Sequence, residues 1–236
     1  MKNHPCHRCP EREQHARWGE RWWKLRRETD AVIDQIESRT NQVARTFDRI
    51  CDVLIEFNYL SVDRAGELEI TDAGEKLSVL YGERDLLVAE SLRHGIWSQL
   101  DAPGLSAMVA ALVYEARHSE EYISPKLPRG NFEEILVQTN ALWRELEHAT
   151  KAKKLRATEP IDAGVSYAIH RWVSGAKLDN VLYESDLLVG DFIRLCKQIV
   201  DLLEQISRAA DGSLATVADQ AIEKMKRGIV AYSYYI

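Results

Sequence analysis

The sequence predicts a mainly α protein: a helical bundle preceded by a long helix and by part of a winged helix that contributes one short β-hairpin. Three observations carry this. Breakers are scarce, with 12 Gly and 6 Pro in 236 residues. Apolar residues recur at three- and four-residue spacing over long runs, most regularly at Leu188, Phe192, Leu195, Cys196, Ile199, Val200, Leu203 and Ile206. Alternation with a period of two is confined to a short stretch around a Gly-containing turn.

The elements follow in order. Arg12 to about Arg39 has no Pro and a single Gly, and pairs such as Glu13/Arg17 and Glu20/Lys24 lie at helical spacing. A long helix with a charged surface is expected there. Its apolar residues Trp18, Trp22, Leu25, Val32 and Ile36, with Thr29 in one slot, form a narrow stripe. That is the pattern of one arm of an antiparallel coiled coil. A second helix is expected from about Thr40 to Phe57, with Val43, Phe47, Ile50, Cys51 and Leu54 on one face. Tyr59–Val62 and Glu67–Ile70 flank Asp63-Arg64-Ala65-Gly66, which predicts the hairpin. Thr71 then opens a helix containing Leu77 and Leu80. Helix, hairpin, helix is the back end of a winged-helix unit.

Beyond Gly82 the pattern is helical. Short helices are expected at Asp85–His94, around Leu105–Ala116, at Ser166–Gly175 and at Leu178–Tyr183. Pro125, Pro128 and Gly130 mark a loop, after which Asn131 is expected to cap a helix ending in the basic run Lys151–Arg156. The periodic helix around 188–206 comes next, and a last helix is expected from about Ser213 to Val230.

Composition limits the function. Lys and Arg number 31 against 37 Asp and Glu, a net charge of -6, which excludes a polybasic protein while leaving room for a local basic groove. No apolar run approaches the ~18–20 residues of a membrane span, so no membrane association is expected. The first ten residues lack the apolar core of a secretory leader. Cys51 and Cys196 occupy apolar helical positions, which reads as buried thiols in a reducing cytoplasm. The sequence holds no phosphate-binding loop, no GxGxxG, no acidic DExH run and no zinc-hydrolase or serine-elbow motif. No catalytic residue is assigned.

Three constellations remain. His4, Cys6, His7, Cys9 and His15 are metal-like, since Cys6-x-x-Cys9 has the bite of a tetrahedral ion. The competing reading is a turn that starts the long helix. No second ligand pair lies at a useful distance, and no metal is assigned. Glu115 and Arg117 end an apolar helix, either as solvated charges or as groups lining a groove. Arg194 and Lys197, three apart on the polar side of an amphipathic helix, can meet adjacent phosphates. In His170-Arg171-Trp172, Trp172 is either a stacking surface for a nucleobase or a core residue.

Several separated blocks carry a resemblance. Ser78-Val79-Leu80-Tyr81-Gly82-Glu83-Arg84-Asp85 through Arg93, Ala107–Arg117, Trp172-Val173-Ser174-Gly175, Gly190–Gln198 and Arg227-Gly228-Ile229-Val230 resemble the C-terminal helical domain, DSHCT, of superkiller-type DExH-box RNA helicases. His4–Glu13, His15–Trp18 and Arg39-Thr40-Asn41 resemble its HelY-like bacterial branch. The resemblance implies a stalk-like helix over 1–40, a partial winged helix over 41–82 and a DSHCT-like bundle over 83–236. It implies RecA-like motor domains upstream, carrying ATP and Mg²⁺, so this chain is expected to need no cofactor and to hydrolyse no ATP alone. Whether it counts as an enzyme depends on that motor. The implied partner is single-stranded RNA or DNA. By resemblance, Glu115 and Arg194 approach the strand. Arg117, Lys197 and Trp172 are added on physical grounds. Two competing readings stand beside this one: a non-enzymatic interaction module docking through the Trp18/Trp22/Trp23 helix, and a small zinc-dependent regulator.

Overall fold

The computed structural model describes residues 9–115 and 125–234, with the side chains of 37–41 outside the description. Of the residues singled out above, His4, Cys6, His7 and Arg117 lie outside the described residues. The chain divides into two compact units, Met1–Cys51 and Asp52–Ile236.

From Arg12 on, the first unit is helix. α1 runs without interruption over Arg12–Glu56. The expected division into two helices near residue 40 is therefore corrected. The segment Arg39-Thr40-Asn41 contains no Gly or Pro, and Thr and Asn cost a helix only a few tenths of a kcal/mol each, too little to stop it. Cys9 sits in the turn that opens α1, its carbonyl accepting from the Arg12 amide at 3.3 Å. The expected apolar stripe is present and exposed at Trp18, Trp22, Leu25, Val32 and Ile36.

In the second unit, α1 ends on Asn58, whose φ of 60° suits an Asn. The Tyr59 amide reaches back to the Leu54 carbonyl at 2.8 Å, which closes the helix end. β1 (Leu60–Val62) and β2 (Leu68–Ile70) pair antiparallel with Leu60 opposite Ile70 and Val62 opposite Leu68. Asp63 makes their turn, its carboxylate accepting from the Ala65 and Glu67 amides at 2.8 and 2.7 Å. Thr71 caps α2 (Asp72–Leu77), accepting from the Gly74 amide and donating to the Asn58 carbonyl. Gly74 is required there: a Cβ would stand 2.3 Å from the Tyr59 carbonyl oxygen.

The bundle follows as α3 (Asp85–Arg93), α4 (Ala102–Val113), α5 (Phe132–Ala152), α6 (Ser166–Val173), α7 (Leu178–Ser185), α8 (Val189–Ala209), α9 (Ser213–Met225) and α10 (Gly228–Tyr232). The fold is mainly α, with a two-stranded hairpin as its sheet among the described residues. α4 is the central helix: Leu105 through Ala111 are buried without a break, and α6, α8 and α9 pack around it. Such a helix is apolar on all sides because it has no wet face. α8 is the opposite type, with Phe192, Leu195, Cys196, Ile199, Leu203 and Ile206 buried on one side.

Two expected details differ. Asn131 does not cap α5 through its side chain; its Nδ2 donates to the Gln99 carbonyl at 3.2 Å, tying the loop to the α3–α4 connection. The last helix is two helices. Arg227 is extended (φ -129°, ψ 162°) and Gly228 takes φ 51°, a conformation that favours Gly.

Candidate nucleic-acid interface

Arg194 and Lys197 share α8. The buried stripe at 192, 195, 196 and 199 turns positions 194 and 197 toward the helix flank, which follows from the 3.6-residue period. The Arg194 side chain is 72% exposed and pairs with Asp191 at 3.3 Å. Asp191 is half-buried, but the guanidinium itself stands largely in water, where a phosphate can compete for it. Lys197 is half-buried. Its Nζ donates to the Ser233 carbonyl at 2.8 Å and lies 5.2 Å from the Tyr234 ring centroid. Lys226 stands 5.0 Å from the same ring and binds Glu204 at 2.9 Å. Burial, with Asp201 and Glu204 nearby, pushes the Tyr234 hydroxyl up to about 12, so it stays a neutral phenol.

Trp172 resolves to the core reading. It is 2% exposed, its Nε1 donates to the Met225 carbonyl at 3.1 Å, and its ring meets Phe192 edge to face at 5.3 Å. The Arg227 guanidinium covers it, with Cζ 3.5 Å from the ring centroid. Arg227 also donates to the carbonyls of Trp172 and Ala176. A base needs an open ring face, and this indole offers none, so the stacking role is corrected to a structural one. Burial lowers the Arg227 pKa, and burial raises the neighbouring Cys196 thiol to about 12, which keeps it protonated and inert.

Glu115 is exposed, but it lies beyond α4, which ends at Val113; Tyr114 is already extended. The cation at this end is Arg84. Its guanidinium donates to the carbonyls of Leu112, Glu159 and Pro160, clamping the 159–160 loop onto the end of α4. Burial lowers the Arg84 pKa, and Glu115 leads the acidic groups that oppose that shift.

The structure thus joins Arg194 and Lys197 on one helix, sets Trp172 against that helix from its buried side, and places Glu115 at the end of another. The cleft of about 390 Å³ in this unit, lined by Tyr59, Lys76, Leu80, Arg93 and Leu214 among others, contains none of them. Sequence reading missed Arg84 and Arg227 as side chains that organise the region. Both lie in the blocks quoted above, yet nothing in local spacing distinguishes an arginine that reaches carbonyls from one that reaches solvent. Among the described residues, no group of three or more His, Cys, Asp or Glu is placed to hold a metal. No helix among them is long and apolar enough to cross a membrane.

Residues 67–233 match the family model described as the DSHCT (NUC185) domain. The chain is 34% identical to the probable helicase HelY of Mycobacterium tuberculosis, over 98% of its own length and 27% of that protein. The corresponding figures for the HelY of Mycobacterium leprae are 32%, 98% and 26%. Similarity to the human exosome RNA helicase MTR4 is lower, 25% over 64% of this chain and 15% of that one. The chain therefore spans about a quarter of the mycobacterial relatives, within their C-terminal regions.

Proposed function

The chain belongs to the DSHCT family of helicase C-terminal domains, and from that premise we propose that it guides single-stranded RNA for an ATP-driven motor carried by other domains of a larger helicase. The exposed Arg194 carries this reading. It stands on the wet side of α8, whose other side is locked into the bundle through Phe192, Leu195 and Ile199. A cation on a rigid helix meets a phosphate without first having to be ordered, which is how a strand is held between motor strokes. Glu115, at the end of α4, is the second contact, facing ribose hydroxyls or amino groups of bases rather than phosphates. The hairpin and α2 are read as the back of a winged helix that joins the bundle to the motor, within a cytoplasmic enzyme. ATP hydrolysis belongs to the motor, so the isolated chain turns over none.

Fluorescence anisotropy with a labelled single-stranded RNA, repeated over a range of salt concentrations, tests the proposal. Salt-dependent binding that weakens in Arg194→Ala supports it. Binding that is absent, or insensitive to salt, defeats it.

A second reading is favoured by the stripe on α1. Trp18, Trp22 and Trp23 are exposed by 63%, 55% and 63%, which is costly for indoles left in water. In this reading the chain is a non-enzymatic module that docks through α1. Light scattering decides it: self-association abolished by Trp18→Ser/Trp22→Ser would favour docking between copies.

A further inference from the structure

We propose that the ring of Tyr234 is the surface on which this interface stacks a nucleobase of the strand. That role presupposes the RNA-guiding reading. It fills the place that Trp172, sealed in the core, leaves open: an aromatic ring within reach of a strand whose phosphate meets Arg194.

The flank of α8 sets the geometry. Arg194, Lys197, Asp201 and Glu204 are spaced by three, four and three residues, so they follow one another along one side of the helix. Tyr234 lies along that side. The Lys197 Nζ is 5.2 Å from its ring centroid, and the Lys226 Nζ, at the end of α9, is 5.0 Å away. Asp201 and Glu204 act on its hydroxyl, which places that end of the side chain toward the acidic end of the flank and away from Arg194. Tyr234 is 43% exposed where Trp172 is 2%, so a base can reach it. An aromatic ring with cations beside it is the pairing by which single strands are held, the ring taking a base and the cations drawing the backbone.

The ring is fixed before a strand arrives. Val230, fully buried, anchors α10. The Ser233 amide donates to the Ile229 and Val230 carbonyls at 3.1 Å, the Ser233 hydroxyl donates to the Val230 carbonyl at 2.7 Å, and the Tyr234 amide donates to the Ala231 carbonyl at 3.2 Å. Lys197 closes the turn from α8 through the Ser233 carbonyl. Stacking on a ring held this way requires no further ordering of the chain. Charge then decides what meets it. Asp201 and Glu204 repel phosphates, and Lys226 is drawn to Glu204 at 2.9 Å. The backbone of the strand therefore keeps to the Arg194 end, and a base comes to the ring. Lys197 is a positioning residue in this arrangement.

The competing account is a tyrosine that only closes the C-terminal turn. Fluorescence anisotropy of the full chain with a labelled single-stranded RNA separates the two. Tyr234→Ala should weaken binding about fivefold or more. The slope of log affinity against log salt should stay unchanged, because a stacked base releases no counterion. Tyr234→Phe, which keeps the ring, should bind within about twofold of the parent, as should Tyr183→Ala, which removes an exposed tyrosine from α7. Ultraviolet crosslinking gives a second readout on the unsubstituted chain: a strand carrying 5-iodouridine should attach at Tyr234. Tyr234→Ala within twofold of the parent, an equal loss in Tyr183→Ala, a slope that falls as for a lost phosphate contact, or crosslinks that avoid Tyr234 would each overturn the proposal. A parent that binds no single strand removes the RNA-guiding reading and this role together. Binding that Arg194→Ala weakens and Tyr234→Ala spares removes the role of the ring alone.

Discussion

Arg227 lies over the indole of Trp172, its guanidinium carbon 3.5 Å from the ring centroid, and the same side chain donates to the Trp172 carbonyl. One residue therefore covers the ring and satisfies the open end of the helix that carries it. Because Arg227 also reaches the Ala176 carbonyl, it spans the α6–α7 turn, and its extended backbone is what separates α9 from α10.

Replacing Arg227 should consequently act on the fold. Arg227→Ala takes the guanidinium from the Ala176 carbonyl, leaves the Trp172 carbonyl with the Gly175 amide as its donor and uncovers the indole, a loss of about 1–3 kcal/mol. Arg227→Lys should lose about half as much, because an ammonium cannot divide one planar fork between two acceptors. Urea denaturation followed by tryptophan fluorescence measures both. Equal stability of the lysine variant and the parent would show that the fork is not needed.

Trp172 itself offers a sharper test of its corrected role. Trp172→Phe keeps an aromatic ring but loses the donor to the Met225 carbonyl and opens a void, which should lower stability by about 1–3 kcal/mol. Its affinity for single-stranded RNA should stay within about twofold of the parent, because no base reaches a 2%-exposed ring. A large affinity loss in folded protein would restore the stacking role.

What was legible in the sequence depended on whether local chemistry decides the outcome. The hairpin was readable because the Asp63 carboxylate and Gly66 make its turn with atoms a few residues apart. The cap at Thr71 and the buried stripe of α8 were readable for the same reason. Where tertiary contacts decide, local signals failed. Asn131 turns from its own helix to Gln99, and Arg227 interrupts a helix that propensity alone would continue. Trp172 was undecidable because an indole beside an arginine looks the same on a surface as in a core. Arg84, joining α4 to the 159–160 loop, works across more than 70 residues of chain and leaves no periodic trace.

The buried Glu90 carries another prediction. It is 1% exposed, accepts from the Tyr59 hydroxyl at 2.5 Å, and also meets Arg93 and His94 at 2.8 and 3.1 Å. These contacts fasten the hairpin's first neighbour, Tyr59, to α3. Burial first, then Glu90, raises the Tyr59 pKa, so the hydroxyl remains a donor across the accessible pH range. Tyr59→Phe should cost about 1–3 kcal/mol by leaving one carboxylate oxygen without that donor. Thermal denaturation checks it, and an unchanged Tm would show that water replaces the hydroxyl.

Acid should destabilise the protein in part through His170. Burial, partly offset by Asp101, holds its imidazole below the ordinary histidine value near 6.5. A depressed folded pKa means the unfolded chain takes up the proton first. The stabilising contribution is then complete above about 6.5 and is lost as pH falls through the folded value. His170→Gln should therefore lose less stability than the parent between pH 7.5 and about 5. Parallel stability profiles for the two proteins would remove His170 from the account.

Arg194 and Lys197 should separate in their effects although they lie one turn apart. Arg194 is exposed beside the half-buried Asp191, whereas Lys197 is engaged by the Ser233 carbonyl and the Tyr234 ring. Arg194→Ala should weaken single-stranded RNA binding several-fold and reduce the slope of log affinity against log salt by about 0.7, the value for one phosphate contact on a single strand. Lys197→Ala should leave that slope nearly unchanged and instead speed hydrogen exchange of the Gly228–Ser233 amides, because it unfastens the C-terminal turn from α8. A reversed result, with the slope moving for Lys197 and not for Arg194, would transfer the phosphate contact to the lysine and require the C-terminal turn to give it up on binding.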